Sequence, residues 1–256
     1  MYFIETEAKQ AFDLSPHKHY FLNPYHGCSM GCPFCFWLSI EGWEGKIEIR
    51  KNIPGLLEKA LPDFPKDEYL YLGSVCDPFN ELEAEYRLTE SCLGVLQNFQ
   101  VPLLITTSGV RDILLEEAEL LLALPKKPIV VVELARLPEI EKMKKGGSHK
   151  GIETANRLKA MGLTVYATVA PICPGIIEAE PFLERLREDI PIYIDSLQCR
   201  AGSIQAKRMK QLLGTEYPEL LKNYTEILGG DTSYFHAVLK RYENCRRICT
   251  FPYKLV

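Results

Sequence analysis

The chain has 256 residues, 46% of them hydrophobic and 25% charged, with a net charge of −4. That length suits one α/β domain with a full core, since such barrels commonly reach roughly 250 residues. The acidic balance runs against a dedicated duplex-DNA binder, which carries a basic excess to neutralise phosphates.

No apolar run approaches the ~20 residues a bilayer span needs. The N-terminus carries Glu5, Glu7 and Lys9 and no apolar signal-peptide stretch. A cytoplasmic protein is expected, with no membrane partner. In a reducing compartment its nine cysteines serve metal binding or catalysis rather than disulfides.

Along the chain, apolar, β-branched or aromatic runs predict strands at His19–Pro24, Tyr69–Cys76, Pro102–Ser108, Pro128–Ala135, Thr164–Cys173 and Pro191–Cys199. Helical periodicity falls between them, at Ile53–Leu61, Leu88–Phe99, Asp112–Leu124, Gly151–Met161, Ala179–Glu188 and Ser203–Leu213. Asp112 is suited to an N-cap, Gly162 to a C′ position, and Gly214 to stopping the sixth helix. Two further helical pieces, Tyr217–Leu228 and Ser233–Asn244, follow. Alternating strands and helices predict a parallel sheet rolled by right-handed crossovers into a partial (β/α)6 barrel of the TIM type. It would be a single domain, residues 1–256, with a core barrel at about 18–214 and a C-terminal helical extension at 215–256. Gly146–Gly147–Ser148 reads as flexible. Two basic stretches, Lys142, Lys144, Lys145 and Lys150, then Lys207, Arg208 and Lys210, read as solvated faces.

In such barrels the chemistry sits on loops after the strands. Cys28, Cys32 and Cys35 follow the first strand in Asn23-Pro24-Tyr25-His26-Gly27-Cys28-Ser29-Met30-Gly31-Cys32-Pro33-Phe34-Cys35-Phe36-Trp37. Three thiolates at this spacing reach three corners of a 4Fe–4S cluster. Four-thiolate clusters are coordinatively full and transfer electrons; three leave one iron open for a substrate or cofactor. Zinc, the alternative, normally takes four ligands in repeated short spacings. Gly27 and Gly31 allow tight wrapping, and Phe34 is placed to shield the cluster.

The sequence resembles the radical S-adenosylmethionine superfamily, in the branch related to spore photoproduct lyase and its photolyase-like relatives. The carriers are the cysteine loop, Gly73-Ser74-Val75-Cys76-Asp77-Pro78-Phe79 with Glu83 and Tyr86-Arg87-Leu88-Thr89, Ile105-Thr106-Thr107-Ser108 with Arg111-Asp112, and Val169-Ala170-Pro171-Ile172-Cys173-Pro174-Gly175. The match runs from about Tyr20 to Gly175. The resemblance implies a 4Fe–4S cluster on Cys28, Cys32 and Cys35, with S-adenosylmethionine on the open iron. It also implies reductive cleavage to a 5′-deoxyadenosyl radical, fed by an external electron donor. It makes Phe34, Asp77, Thr107, Ser108, Glu133 and Ala170 the residues expected to bind the cofactor. Relatives often have Thr-Lys-Ser where this chain has Thr106-Thr107-Ser108, so a positive charge near the cofactor carboxylate is missing. Photoproduct lyases tend to have tyrosines where Phe34 and Phe36 stand, and phenylalanine cannot relay a hydrogen atom.

Of the other cysteines, Cys92 lies inside a helical pattern and reads as packing. Cys76, Cys173 and Cys199 fall at strand ends. Cys76, beside Asp77, is the first choice for a thiol that quenches a substrate radical. Cys245 and Cys249, at i and i+4, could with Cys173 and Cys199 hold a second cluster. The substrate expected is a protein or precursor peptide, possibly presented by a separate leader-binding protein. Repair of a nucleic-acid lesion is the alternative, and a non-catalytic iron–sulfur or zinc scaffold the third reading.

Overall fold

A computed structural model of the chain describes residues 2–14, 19–41, 43, 45–138 and 148–250. The strands are β1 Tyr2–Thr6, β2 Asp13–Leu14, β3 Tyr20–Leu22, β4 Tyr25–Gly27, β5 Lys46–Arg50 and β6 Leu70–Leu72. They continue with β7 Leu103–Thr107, β8 Ile129–Glu133, β9 Thr164–Ile172, β10 Ile192–Ser196 and β11 Ile248–Thr250. Eight form one sheet in the order β11-β10-β9-β8-β7-β6-β3-β2. Every pairing in it is parallel except the edge pair β2–β3. The six runs read as strands from the sequence are β3, β6, β7, β8, β9 and β10, and they are neighbours in chain order. Each parallel crossover carries a helix back across the sheet, as this geometry requires.

The sheet's residues explain its stability. Leu70, Leu72, Leu103, Ile105, Val130, Val132, Val165, Ala167, Ile192 and Ile194 are buried at alternating positions. Each large aliphatic side chain among them contributes about 1.5–3 kcal/mol by leaving water. Helices at Ile53–Ala60, Leu88–Leu96, Ser148–Ala160 and Ile204–Glu216 supply Leu57, Leu93, Leu158 and Met209 to the same core. No helix among the described residues is long and apolar enough to cross a membrane.

Several local expectations change. The Asp112–Leu124 segment is two short helices, Ile113–Glu116 and Ala118–Ala123. Asp112 makes no cap hydrogen bond, because its carboxylate turns to Lys150, 2.8 Å away. The sixth helix does not stop at Gly214 but runs to Glu216. Nothing crowds Gly214, and its φ is not left-handed. Ser203 caps the start of that helix by accepting the Ala206 N–H at 3.1 Å. Gly162 does take the left-handed conformation, φ +91°. His149 and Lys150 belong to the Ser148–Ala160 helix, whereas Lys142, Lys144, Lys145, Gly146 and Gly147 lie outside the described residues. The C-terminal extension is not purely helical, since β11 adds a parallel edge strand beside β10. Among the described residues no pairing joins the outer strands β2 and β11.

A second, three-stranded sheet, order β1-β5-β4, was not anticipated. Its β5, Lys46-Ile47-Glu48-Ile49-Arg50, alternates strictly, and Ile47 and Ile49 are buried. This sheet fixes how the chain enters the cysteine loop.

Candidate active site

The chain runs from β3 into β4, whose residues Tyr25, His26 and Gly27 pair with Ile49, Glu48 and Ile47. Gly27 has φ +112°, and a Cβ there would stand 2.2 Å from the Lys46 carbonyl oxygen. Only glycine therefore permits the turn into Cys28. Tyr25, 1% exposed, donates its hydroxyl proton to the carboxylate of Glu83, also 1% exposed. Glu83 accepts in addition from the Thr89 N–H at 3.0 Å and the Glu90 N–H at 2.9 Å. The strand leading to the first cysteine is thereby tied to the helix that follows β6.

The loop itself is held from several sides. The Met30 N–H points at Cys28 Sγ, 3.4 Å away, and the Cys35 N–H donates to the Cys32 carbonyl at 3.1 Å. Trp37 Nε1 donates to the Val75 carbonyl at 2.8 Å. Gln205, from the helix after β10, donates to the Cys35 carbonyl at 3.2 Å and to Ser39 Oγ at 2.7 Å.

Cys28, Cys32 and Cys35 border a concave cavity of about 420 Å³ at the C-terminal ends of β6, β7, β8 and β9. The same cavity is bordered by Phe34, Cys76, Asp77, Thr107, Ser108, Glu133 and Ala170, so every site residue expected from the sequence falls on one surface. Cys173 and Cys199 do not. They are 0% and 6% exposed inside the main core, which leaves Cys76 as the one further cysteine on the cavity wall among the described residues.

Burial pushes the Cys28 thiol up to about 11 and Cys32 up to about 12, and neighbouring thiols and Glu133 add to both. Cys35 is raised by the same desolvation. The same burial raises the core thiols Cys92 and Cys173, so it is the shared cavity and not the shift that sets these three cysteines apart. Among the described residues no three His, Cys, Asp or Glu side chains gather tightly enough for a single metal ion. Thiols that ligate three different irons need not gather so. With a backbone N–H on Cys28 Sγ and a cavity at their side, the three cysteines fit a cluster.

Asp77, expected from the sequence to bind the cofactor, makes several hydrogen bonds within the protein. One carboxylate oxygen accepts from the Phe79 N–H at 3.0 Å and the Thr107 hydroxyl at 2.8 Å. The other accepts from the Ser108 N–H at 2.9 Å and the Ser108 hydroxyl. A carboxylate has about four acceptor sites, and protein donors fill them. Asp77 is a strut that locks the β6 and β7 loops together, and it spends the hydroxyl protons of Thr107 and Ser108. Gly73, φ +92°, permits this approach, because a Cβ there would lie 2.2 Å from the Thr106 carbonyl oxygen. Asp77→Ala is expected to lower the unfolding free energy of cofactor-free protein by about 1–3 kcal/mol, read by urea titration. Unchanged stability would return Asp77 to the role of a free ligand.

Two charges in the cavity are not spent this way. Glu133, last residue of β8, is open to the cavity, yet the protein around it raises its carboxyl by desolvation, with Arg136 opposing. Arg136 donates a hydrogen bond to the Ala135 carbonyl at 3.0 Å, and its charge acts on both Cys32 and Glu133. Sequence reasoning missed Arg136. Its position three residues beyond Glu133 was the only signal.

No family model matches the sequence. An uncharacterized protein of Methanocaldococcus jannaschii is 24% identical over 258 residues, covering 93% of this chain and 89% of that protein. One from Mycobacterium tuberculosis is 27% identical over 256 residues, covering 88% and 73%. Among solved structures, spore photoproduct lyase complexed with dinucleoside spore photoproduct superposes with a TM-score of 0.64 at 12% identity, covering 97% of this chain and 81% of that one. Streptococcus suis SuiB bound to S-adenosylmethionine superposes at 0.53 and 14% identity, covering 90% of this chain and 49% of SuiB. SuiB is also solved with the precursor peptide SuiA. The likeness to spore photoproduct lyase read in the sequence is thus matched in the fold.

Proposed function

We propose that this chain is a radical S-adenosylmethionine enzyme that abstracts hydrogen from a protein or precursor peptide, in a single domain whose parallel sheet curves as a partial barrel. The observation that carries the proposal is the shared cavity: the three cysteines of C-x3-C-x2-C and the polar ends of β6, β7 and β8 border one space. Cys28, Cys32 and Cys35 would hold a 4Fe–4S cluster. When bound, that cluster supplies the electron that splits S-adenosylmethionine and yields a 5′-deoxyadenosyl radical.

The chain's own residues position and shield. Phe34, half-buried against the main core, offers an apolar face for the adenine. Ala170, exposed at the end of β9, leaves room beside it. Asp77 holds Thr107 and Ser108 in a fixed floor, and the hydroxyl oxygens of those two residues face the cofactor as acceptors. Glu133 is the acceptor for a ribose hydroxyl. Arg136 supplies the cation that Thr106-Thr107-Ser108 lacks, and so is assigned to the cofactor carboxylate. Cys76 is the proposed hydrogen donor. Its sulfur accepts from Asn80 Nδ2 at 3.8 Å, and among the described residues it is the one cysteine outside the C-x3-C-x2-C loop that borders the cavity. An external reductant in a reducing cytoplasm would feed the site.

Repair of a nucleic-acid lesion is the second reading, favoured by the greater coverage of spore photoproduct lyase. The net charge of −4 and the phenylalanines at 34 and 36 favour peptide. Anaerobic, reconstituted protein with dithionite is expected to release 5′-deoxyadenosine from S-adenosylmethionine. Its absence would overturn the enzyme reading, and efficient repair of a dipyrimidine lesion in an oligonucleotide would overturn the peptide reading.

A further inference from the structure

A second cavity, about 700 Å³, lies between the Ile204–Glu216 helix and the segment 218–229. Its walls are mainly aliphatic, with Ala206, Leu221 and Leu228, and its rim carries Lys207, Lys210 and Lys222. The three lysines are exposed, and none forms an ion pair among the described residues. The lining contains no acidic residue, although acids outnumber bases in the chain as a whole.

The helix that forms one wall of the groove also holds the cysteine loop. Gln205, next to Ala206, reaches the Cys35 carbonyl and Ser39. Next in sequence to Cys35, Ser39 and Gln205 stand three exposed large apolar residues: Phe36 at 50%, Ile40 at 47% and Ile204 at 39%. Phe36 itself borders the reactive cavity.

Resting on the peptide reading above, we infer that the groove docks an acidic, aliphatic-rich segment of the substrate. Charge and shape select the occupant. Aliphatic walls accept leucine-like side chains, and the lysine rim accepts carboxylates. A nucleic-acid strand is served by aromatic platforms for its bases and by the planar fork of arginine for its phosphates; the lining has neither.

The test uses full-length reconstituted protein at physiological salt and fluorescence anisotropy. The probes are a labelled peptide of repeated Leu-Glu-Glu-Leu blocks, its Gln-for-Glu counterpart, and a labelled single-stranded oligothymidylate. The acidic peptide is expected to bind tightest. Leu221→Asp, and separately the triple change Lys207→Glu, Lys210→Glu and Lys222→Glu, are each expected to weaken it about tenfold or more, equivalent to ~1.4 kcal/mol. Substrate-free cleavage of S-adenosylmethionine stays unchanged in both variants. Equal peptide affinity in wild type and variants, or oligonucleotide binding that is tighter than peptide binding and lost in the same variants, overturns the inference. Cleavage of S-adenosylmethionine without peptide binding would fail the groove alone; peptide binding without cleavage would fail the radical reading alone.

Discussion

Replacing any one of Cys28, Cys32 and Cys35 with alanine is expected to take anaerobically reconstituted protein from about four irons per chain to nearly none. Three thiolates are already one short of a full set, so a cluster on two has no protein ligand for half its irons. The loop offers no substitute. His26 belongs to β4 and sets its ring edge-to-face on Trp37, 5.0 Å between centroids, and does not border the cavity. Cys76 borders the same cavity but is carried on the β6 loop and packed with Tyr25, Ile47 and Leu88, so it does not take the place of a loop cysteine. Fold should survive, because the loop is held by Trp37 and Gln205 through contacts that involve no thiol. Iron analysis and far-ultraviolet circular dichroism on the same samples separate the two effects. Full iron content in all three variants would show that another set of residues holds the metal.

Glu83→Ala is expected to cost about 3–5 kcal/mol of stability, a large part of the 5–15 kcal/mol typical of a domain. The carboxylate sits almost fully buried and accepts three donors: the Tyr25 hydroxyl, the Thr89 N–H and the Glu90 N–H. Truncation leaves all three without partners, at about 1–3 kcal/mol for each buried group that stays unsatisfied. The functional consequence is specific. Tyr25 begins the strand that delivers Cys28, so a released Tyr25 loosens the entry to the cluster loop and reduces iron retention. Tyr25→Phe removes one of the three bonds and should cost about 1 kcal/mol, with iron retained. Urea unfolding of both variants beside iron analysis reads the difference. Wild-type stability in Glu83→Ala would reduce Glu83 to a bystander.

Much of the architecture was legible from residue pattern. All six core strands were read because each is a run of β-branched and aliphatic residues set between helical periods, as in Ile129-Val130-Val131-Val132-Glu133. The small sheet was missed, although Lys46–Arg50 carries a plain two-residue alternation. Its partners Tyr2–Thr6 and Tyr25–Gly27 are distant in sequence, and alternation alone does not say with what a strand pairs. The cysteine loop was legible because ligand spacing is local. The role of Asp77 was not: that its acceptor sites are filled depends on Thr107 and Ser108, thirty residues on, arriving from a neighbouring strand. Arg136 carried no motif, and only the cavity shows that it shares a space with Cys32. The lysines at 207 and 210 read as a solvated face, and solvated they are; the apolar groove they rim comes from Leu221 and Leu228 in a separate helical segment.

The open iron is the feature on which the functional reading depends, and electron paramagnetic resonance of the reduced, reconstituted protein addresses it directly. A cluster held by Cys28, Cys32 and Cys35 has one iron free to take S-adenosylmethionine, so adding the cofactor should shift the g-values and line shape of the reduced signal, while 5′-methylthioadenosine, which lacks the amino and carboxylate groups, should not. A signal that stays the same with saturating S-adenosylmethionine would contradict a three-cysteine, cofactor-binding cluster.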